Sequence, residues 1–407
     1  MRIWLVNRFY WPDEPATAQL LGDLAEGLAA RGHEVHVLTS RSMRAGGADS
    51  ATRRGVSVHR MPTRLLPGDH LPARAVAFIV FLVSSLWLLC RWLRPGDRLV
   101  ALTDPPLLGF ICRLAAGARR ALLFQWVQDI HPEVAIRVLD APPFDLPLKA
   151  LLPLRNLSWR ASVCCVAPSA GMAAHITRIT PARPALVLHN WAPAGLRPAP
   201  VDAARLWRET HDLQDRFVLM YSGNLGRVHD MAPIAALLWH LNDCPSVHLV
   251  VVGRGAGLST LREECARKGV LGQVTFLPPC PREELALSLS SADLHLVTLA
   301  AGCENLVFPS KLYGIAAVGR PVLAIAPEDS DLVRLVRENG LGLSGPASSA
   351  ASLALGVKAL IESPARHATH CAAALRFLQA TGDARSAVLF WESLLASTGE
   401  SAPCSPP

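Results

Sequence analysis

Charge is scarce in this chain and nowhere concentrated. Only 18% of its 407 residues are Asp, Glu, Lys or Arg, and the net +7 is spread along the length. A nucleic-acid groove needs a basic stripe or block, so no nucleic acid is expected as a partner. With 51% of residues in the AVILMFWYC set, global disorder is excluded as well. The ten cysteines include no Cys-x-x-Cys. Neither a zinc ribbon nor a disulfide framework is therefore expected, and the thiols read as small core hydrophobes in a reducing cytosol. No Gly-x-Gly-x-x-Gly follows the first apolar run, Ile3–Val6, which makes a nicotinamide dehydrogenase the least favoured enzyme class. That run is also far too short for a signal peptide. The main uncharged stretch, Ala75 to Cys90, stops at sixteen residues, short of the ~20 needed to span a bilayer. It reads as a helix buried in a core or dipping into a membrane interface, with a spanning helix as the third reading. Arg74, Arg91 and Arg94 with Trp87 and Trp92 at its flanks suit headgroups.

What is present is alternation. Ile3–Val6, Glu34–Leu38, Val56–His59, Arg98–Leu102, Ala121–Val127 and Val163–Ala167 read as strands, with amphipathic stretches between most of them. The first such stretch runs from a cap at Thr17 to Arg31, with Leu20, Leu21, Leu24 and Leu28 at helical spacing and Gly32 as its stop. Three prolines and a glycine between His189 and Pro200 mark a linker. A second series follows, with strands at Phe217–Tyr221, Val247–Val252, Val274–Leu277, Leu294–Thr298 and Pro321–Ile325. Helices are expected at Ala232–Leu241, Leu258–Lys268, Arg282–Leu289, Ser310–Ala317 and from Ala351 to about Ser397, then a frayed tail over Glu400–Pro407. The α/β pattern implies two doubly wound domains, residues 1–190 and 203–380, with a linker at 191–202. Ligands of such sheets sit at the carboxyl ends of the strands, so a cleft between the domains is the expected site.

Six segments at strand ends carry candidate chemistry. Phe9–Gln19, containing Asp13 and Thr17, opens the first helix, whose first N–H groups can receive an anion or hydroxyls. Tyr221-Ser-Gly-Asn-Leu-Gly-Arg-Val-His-Asp230 offers Gly223 and Gly226 for close backbone approach, with Asn224 and Arg227 beside them to meet phosphate oxygens. Val252-Gly-Arg-Gly-Ala-Gly257, carrying Arg254, reads equally as a nucleotide-lining turn or a plain tight turn. In Gly302–Gly314, Pro309 and Ser310 suit a helix start, which places Lys311 in the first turn. A lysine there opposes the helix macrodipole unless an anion is bound, a local conflict that a diphosphate would resolve. In the first half, Gln128, Asp129, His131 and Glu133 cluster just past a buried strand as a candidate reactive or acceptor-binding group, and Thr103–Pro106, with Asp104, ends the preceding strand.

Leu28-Ala-Ala-Arg-Gly-His-Glu-Val-His-Val-Leu-Thr39, Gln128–Glu133, His189-Asn-Trp191, Tyr221–Arg227, Pro309-Ser-Lys-Leu-Tyr313 and Gly319-Arg-Pro-Val-Leu323 occur in this order across nearly the whole chain. Together they resemble the family-4-type retaining glycosyltransferases, especially bacterial enzymes of O-antigen, capsule or colanic-acid-like polysaccharide synthesis. The resemblance implies a GT-B fold of two Rossmann-like domains with an interdomain cleft, and a C-terminal helix near residues 381–397 that returns to the first domain. It implies a nucleotide-diphosphate sugar on the second domain, a glycan or lipid-linked acceptor on the first, and no cofactor or metal. By position, Arg227 and Lys311 would hold the diphosphate. Gly223 and Asn224 would shape that pocket, with Arg254, Glu304 and Ser310 as further donor contacts. Asp129 and His131 would stand at the reacting sugar, and Asp13, Thr17 and Asp104 on the acceptor side. The chain departs from the family at Gln128, where relatives carry His. It departs again at the glutamate pair eight residues apart, whose positions fall on Leu306 and Gly314; Glu304 lies two residues early.

Together with the resemblance, the flanked apolar run gives the expectation of a cytoplasmic transferase with peripheral membrane contact through Ala75–Cys90. A sugar-nucleotide epimerase of the same fold and a nucleotide-binding member without turnover are the competing readings.

Overall fold

Short apolar runs become strands of largely parallel sheets, and the stretches between most of them become the covering helices. The computed structural model describes residues 1–13, 15–41, 50–63, 71–139 and 142–397. Two compact units emerge: Met1–Asn190 together with the chain from Gly382 onward, and Trp191–Thr381. The expected tail at 400–407 lies outside the described residues.

In the first unit the strands are β1 (Arg2–Val6), β2 (Glu34–Ser40), β3 (Ser50–Arg53), β4 (Val56–Met61), β5 (Arg98–Ala101), β6 (Leu122–Trp126), β7 (Cys164–Ala167) and β8 (Leu186–Val187). Their order across the sheet is β3-β4-β2-β1-β5-β6-β7-β8, parallel except for β3 on β4. The helices are α1 (Ala16–Ala30), α2 (Leu71–Trp92), α3 (Leu108–Arg119), α4 (Glu133–Leu139), α5 (Pro142–Lys149), α6 (Leu152–Arg160) and α7 (Ala170–Ile179). One core layer joins Trp4 and Val6 of β1 and Leu99 of β5 to Phe81 and Leu89 of α2 and Cys112 of α3.

The second unit opens with α8 (Val201–Glu209), directly after Pro200, where the sequence reads as linker. Its sheet runs β11-β10-β9-β12-β13-β14, all parallel. The strands are β9 (Phe217–Asn224), β10 (Val247–Arg254), β11 (Val274–Leu277), β12 (Leu294–Thr298), β13 (Val322–Ile325) and β14 (Gly342–Gly345). The helices between and after them are α9 (Ala232–His240), α10 (Gly257–Arg267), α11 (Leu285–Ser290), α12 (Lys311–Ala317), α13 (Asp331–Glu338), α14 (Ala350–Glu362) and α15 (Pro364–Thr381). On β9, Leu219 and Tyr221 enter one core cluster, while Val218 and Met220 enter the other. Both faces are covered, which is why this strand reads as unbroken hydrophobicity rather than alternation.

The last helix, α16 (Ala384–Ala396), belongs to the first unit. Glu392 receives Arg31 Nε at 2.6 Å and lies 2.7 Å from His33 Nε2. Trp391 packs on Trp126 with ring centroids 5.5 Å apart, and Arg98 Nε donates to the Leu395 carbonyl at 2.9 Å.

Three expectations need correction. Thr17 does not cap α1: Pro15 occupies the N-cap, no side chain caps the helix, and Thr17 is already in the first turn. Arg282–Leu289 divides into a 3-10 turn at Arg282–Glu284 and the short α11. The apolar run of sixteen residues belongs to a 22-residue helix, because residues 71–74 precede it in α2 and Arg91 and Trp92 continue it, and Ala75–Trp92 is long and apolar enough to cross a membrane. It nevertheless buries one face in the core, and the face opposite is exposed. All nine described cysteines are free thiols, with Cys164 and Cys165 buried on β7.

Candidate functional site

Two neighbouring strands of the second unit carry glycine one residue before their ends. β9 and β10 pair in register as far as Gly223 opposite Gly253 and Asn224 opposite Arg254. A Cβ on Gly253 would strike the Gly223 carbonyl, so the two backbones meet where no side chain fits. Leu225 N–H donates to the Arg254 carbonyl at 2.9 Å and closes the rim.

From β9 the chain crosses to β10 on one side and later returns to β12 on the other. That reversal is the position at which open parallel sheets bind ligands, beyond their carboxyl ends. Lys311, the first residue of α12, delivers its side chain there. Its Nζ lies 3.7 Å from the centre of the Tyr221 ring, and a Cβ on Gly223 would also be 3.7 Å from it. The ammonium is buried and has no hydrogen-bond partner among the described residues, and burial pulls its pKa from 10.5 to about 7. Next to it, His229 Nδ1 lies 2.6 Å from the Thr298 carbonyl. Burial first, and then the Lys311 charge, lower His229 to about 3. The imidazole is thus neutral, Nδ1–H donates to the carbonyl, and Nε2 is left as an acceptor.

The remaining donor candidates lie at the ends of β9 and β10 and on the loop between β12 and α12. Arg227 is on the turn after β9, and Arg254 is exposed at the end of β10. The turn carrying Arg227 is tied to the loop carrying Glu304 through Ala300 N–H, which donates to the Val228 carbonyl at 2.9 Å. Glu304 is turned back on that loop, with Oε1 accepting from Gly302 N–H at 2.8 Å. Ser310 precedes α12 and makes no capping bond with its side chain.

The first unit has its own reversal, with β1 between β2 and β5. Arg8 follows β1 and bridges the gap: its N–H donates to the Asp104 carbonyl and its Nη2 to Asp104 Oδ2, both at 2.9 Å. The guanidinium carbon stands 4.2 Å from the Phe9 ring centre and 4.8 Å from that of Phe78 on α2. Arg8 Nε is buried with no hydrogen-bond partner among the described residues. One strand further on, Thr103 Oγ1 accepts from Asp129 N–H at 3.2 Å. Burial raises the Asp129 carboxyl, His131 pulls it back, and Asp104 adds to the rise. His131 Nδ1 is buried and likewise has no hydrogen-bond partner among the described residues.

The structure divides the expected cluster at 128–133. Gln128 and Asn190 exchange amide hydrogen bonds at 3.1 and 3.0 Å, which fixes the loop that presents Asp129. Glu133 leaves the group entirely, forming a two-pronged pair with Arg155 at 2.5 and 3.1 Å. Arg155 in turn stacks on Trp159 at 3.9 Å. Glu133 is therefore structural. Arg155→Met should cost about 2 kcal/mol of stability by leaving a half-buried carboxylate with only His175 Nε2, at 3.4 Å, beside it. Urea unfolding would show the loss, and because Arg155 Nη1 also donates to the His131 carbonyl at 3.2 Å, transfer per folded molecule should fall as well.

Asp13 is likewise occupied locally, its Oδ2 accepting from Tyr10 N–H at 3.4 Å to close the turn at 10–13. Among the described residues no group of three or more His, Cys, Asp or Glu is arranged to hold a metal. Sequence reasoning missed Arg8, Phe78, His229 and Thr298. A cation two residues past the apolar run Ile3–Val6 is the one signal that could have flagged Arg8.

Comparison with known proteins agrees with this division. Residues 17–191 match the glycosyl transferase 4-like domain model, and residues 204–376 match glycosyl transferases group 1. The chain is 25% identical over 359 residues to WcaI of Escherichia coli, named as a putative colanic acid biosynthesis glycosyl transferase, covering 82% of this chain and 86% of that protein. It is also 25% identical over 276 residues to WbjE of Pseudomonas aeruginosa, named as a probable glycosyltransferase, covering 64% and 65% of the two chains. Sucrose-phosphate synthase of Thermosynechococcus elongatus superimposes with a TM-score of 0.78 at 17% identity, over 97% of this chain and 98% of that one. Alr3699/HepE of Anabaena, solved with UDP and glucose, does so with a TM-score of 0.74 at 18% identity, over 98% and 100%. At such identities the structural likeness is one of fold. With one glycosyltransferase model on each half and the parallel sheets of both halves in place, the chain belongs to the family-4-type glycosyltransferases of the GT-B fold.

Proposed function

We propose that this glycosyltransferase moves a hexosyl group from a nucleotide diphosphate to a glycan or lipid-linked acceptor, with retention and without metal or cofactor. The product would enter cell-surface polysaccharide, and the work would be done in the cytoplasm or at the inner face of the plasma membrane. The observation that carries the reading is Lys311: a buried amine with no hydrogen-bond partner among the described residues, placed at the reversal point of the second sheet. Lone buried ammonium groups are costly, and an arriving diphosphate supplies the missing counter-charge. The names of WcaI and WbjE support glycosyl transfer, and the UDP and UDP-glucose found with Alr3699/HepE support a nucleotide donor.

Glycosidic cleavage from a diphosphate leaves negative charge on the departing oxygen. Lys311 then gains more from the transition state than from the ground state, which is what accelerates a reaction. Arg227, on its turn after β9, is the second cation, so that charge is met by the protein's own cations. Glycine at 223 and 253 lets backbone stand close to the phosphates. Asn224, Arg254, Glu304 and Ser310 complete the donor side. On the first unit, Asp129 and His131 act at the reacting hydroxyl, with Asp104, Asp13 and Thr17 toward the acceptor. Arg8 joins them as an oriented guanidinium.

The test is incubation of the full chain with a panel of nucleotide-sugars and acceptors. Release of nucleoside diphosphate is followed, and the first-formed anomer is read by proton NMR. The expected result is transfer with the donor's anomeric configuration and a rate unchanged by excess chelator. Isomerisation of the donor alone would identify an epimerase. Tight nucleotide binding with no turnover would identify a binding protein.

A further inference from the structure

Helix α2 has two apolar faces, only one of which is covered. Phe81, Ser85 and Leu89, at steps of four, are fully buried, with Phe81 and Leu89 in the core. On the other side Val76, Val80, Val83 and Trp87 follow at steps of four, three and four, with Ile79 alongside. They are 60%, 40%, 61%, 64% and, for Ile79, 60% exposed. Single exposed hydrophobes are ordinary, but a stripe ~16 Å long on one helix marks an interaction surface.

The charges around it select the partner. From residue 70 to 96, and again from 105 to 128, there is no Asp or Glu, while Arg74, Arg91, Arg94, Arg113, Arg119 and Arg120 occur there. Arg91, Arg94, Arg119 and Arg120 are exposed. Helix α3 packs along α2, and Arg119 Nε donates to the Leu93 carbonyl at 2.9 Å, which brings the end of α3 to the end of α2. The apolar stripe thus terminates in a collar of cations. An anionic bilayer surface offers acyl chains for the stripe and headgroup charge for the collar. Five side chains fall short of the ~800 Å² per partner that a stable dimer buries, so a second copy fits less well. A bilayer-spanning role is ruled out by the buried face, because Phe81 and Leu89 would have to leave the core of the sheet.

We propose that α2 docks this enzyme in the plane of an anionic membrane, with Val76, Ile79, Val80, Val83 and Trp87 below the headgroups and the arginine collar upon them. One consequence rests on the transfer reading above. Phe78, on the same helix, covers Arg8, so the docked helix adjoins the acceptor-side Arg8–Asp104 pair. A lipid-carried acceptor would then reach that pair along the membrane surface.

The test is flotation of the full chain with phosphatidylcholine vesicles with and without phosphatidylglycerol, at low and high salt. The wild type should float with the anionic vesicles at low salt and lose about tenfold in affinity without phosphatidylglycerol. Val83→Asp with Trp87→Asp should abolish flotation at any salt, and Arg91→Gln with Arg94→Gln should reduce only its salt-sensitive part. Nucleotide-induced thermal shift serves as the check that each variant is folded. A wild type that stays in solution, or a doubly substituted Val83 and Trp87 variant that floats as well as wild type, overturns the proposal. So does a concentration-dependent dimer that the same variant dissolves. Flotation without transfer would leave docking standing and the reaction wrong; transfer to a water-soluble acceptor without flotation would do the reverse.

Discussion

Lys311→Met should yield a well-folded protein that transfers sugar ~10²–10³-fold more slowly, the loss typical of a missing transition-state donor. Its stability should move the other way. The unfolded chain holds a proton on Lys311 up to pH 10.5, whereas the folded chain releases it near pH 7. Between those values unfolding takes up a proton, so wild-type stability rises with pH across that window by up to ~1.4 kcal/mol per pH decade. Below pH 7 the lysine is charged in both states, and the full cost of burying the ammonium remains. Methionine has no such cost, so the variant should be more stable at neutral pH and lack this part of the pH dependence. Denaturant melts of both proteins at pH 7 and 9 measure the difference. A nucleoside diphosphate bound at pH 8 should restore the lysine proton, giving calorimetric heats that vary with the buffer's ionisation enthalpy. Near wild-type transfer by the variant would remove Lys311 from the mechanism.

Asp129→Asn should lower transfer by about 10²-fold or more, the range for losing a positioned carboxylate that handles a proton. Here too the native residue opposes stability. Its carboxyl is raised above the usual 3.8 by burial, so the folded state holds that proton more tightly than the unfolded one. The associated stability is complete below pH 3.8 and is lost as pH rises through the folded pKa. An amide does not ionise, so the gap in favour of the variant should open with rising pH and then level off. Melts across that range, beside the rate measurement, separate a catalytic loss from a folding loss. A variant both slower and less stable at neutral pH would mean that Asp129 is structural.

The doubly wound order of both units was legible because covered parallel strands are short, continuous apolar runs between turn residues. Three strands were not. β14 reads Gly-Leu-Ser-Gly, and its Gly342 is required because a Cβ there would strike the Val322 carbonyl. β8 has two residues, and β3 lies in a polar stretch without apolar alternation. Helix α8 was hidden by the prolines just before it. At the site, the conflict between Lys311 and its helix end could be read directly. The Tyr221 ring beneath it could not, because ninety residues separate them. Arg8 and Phe78 meet for the same non-local reason. In α2, periodicity failed because the covered and uncovered faces are equally apolar.

Helix α16 carries a consequence for synthesis. Its Trp391, Glu392 and Leu395 contribute contacts to a unit whose other residues end at Asn190. A nascent chain therefore has every residue of Trp191–Thr381 outside the ribosome before the earlier half can be closed. Until then Trp126 lacks its neighbour and Arg31 its carboxylate. The amino-terminal half is made first and finished last, and it waits on the ribosome in an unsealed form that chaperones would be expected to guard.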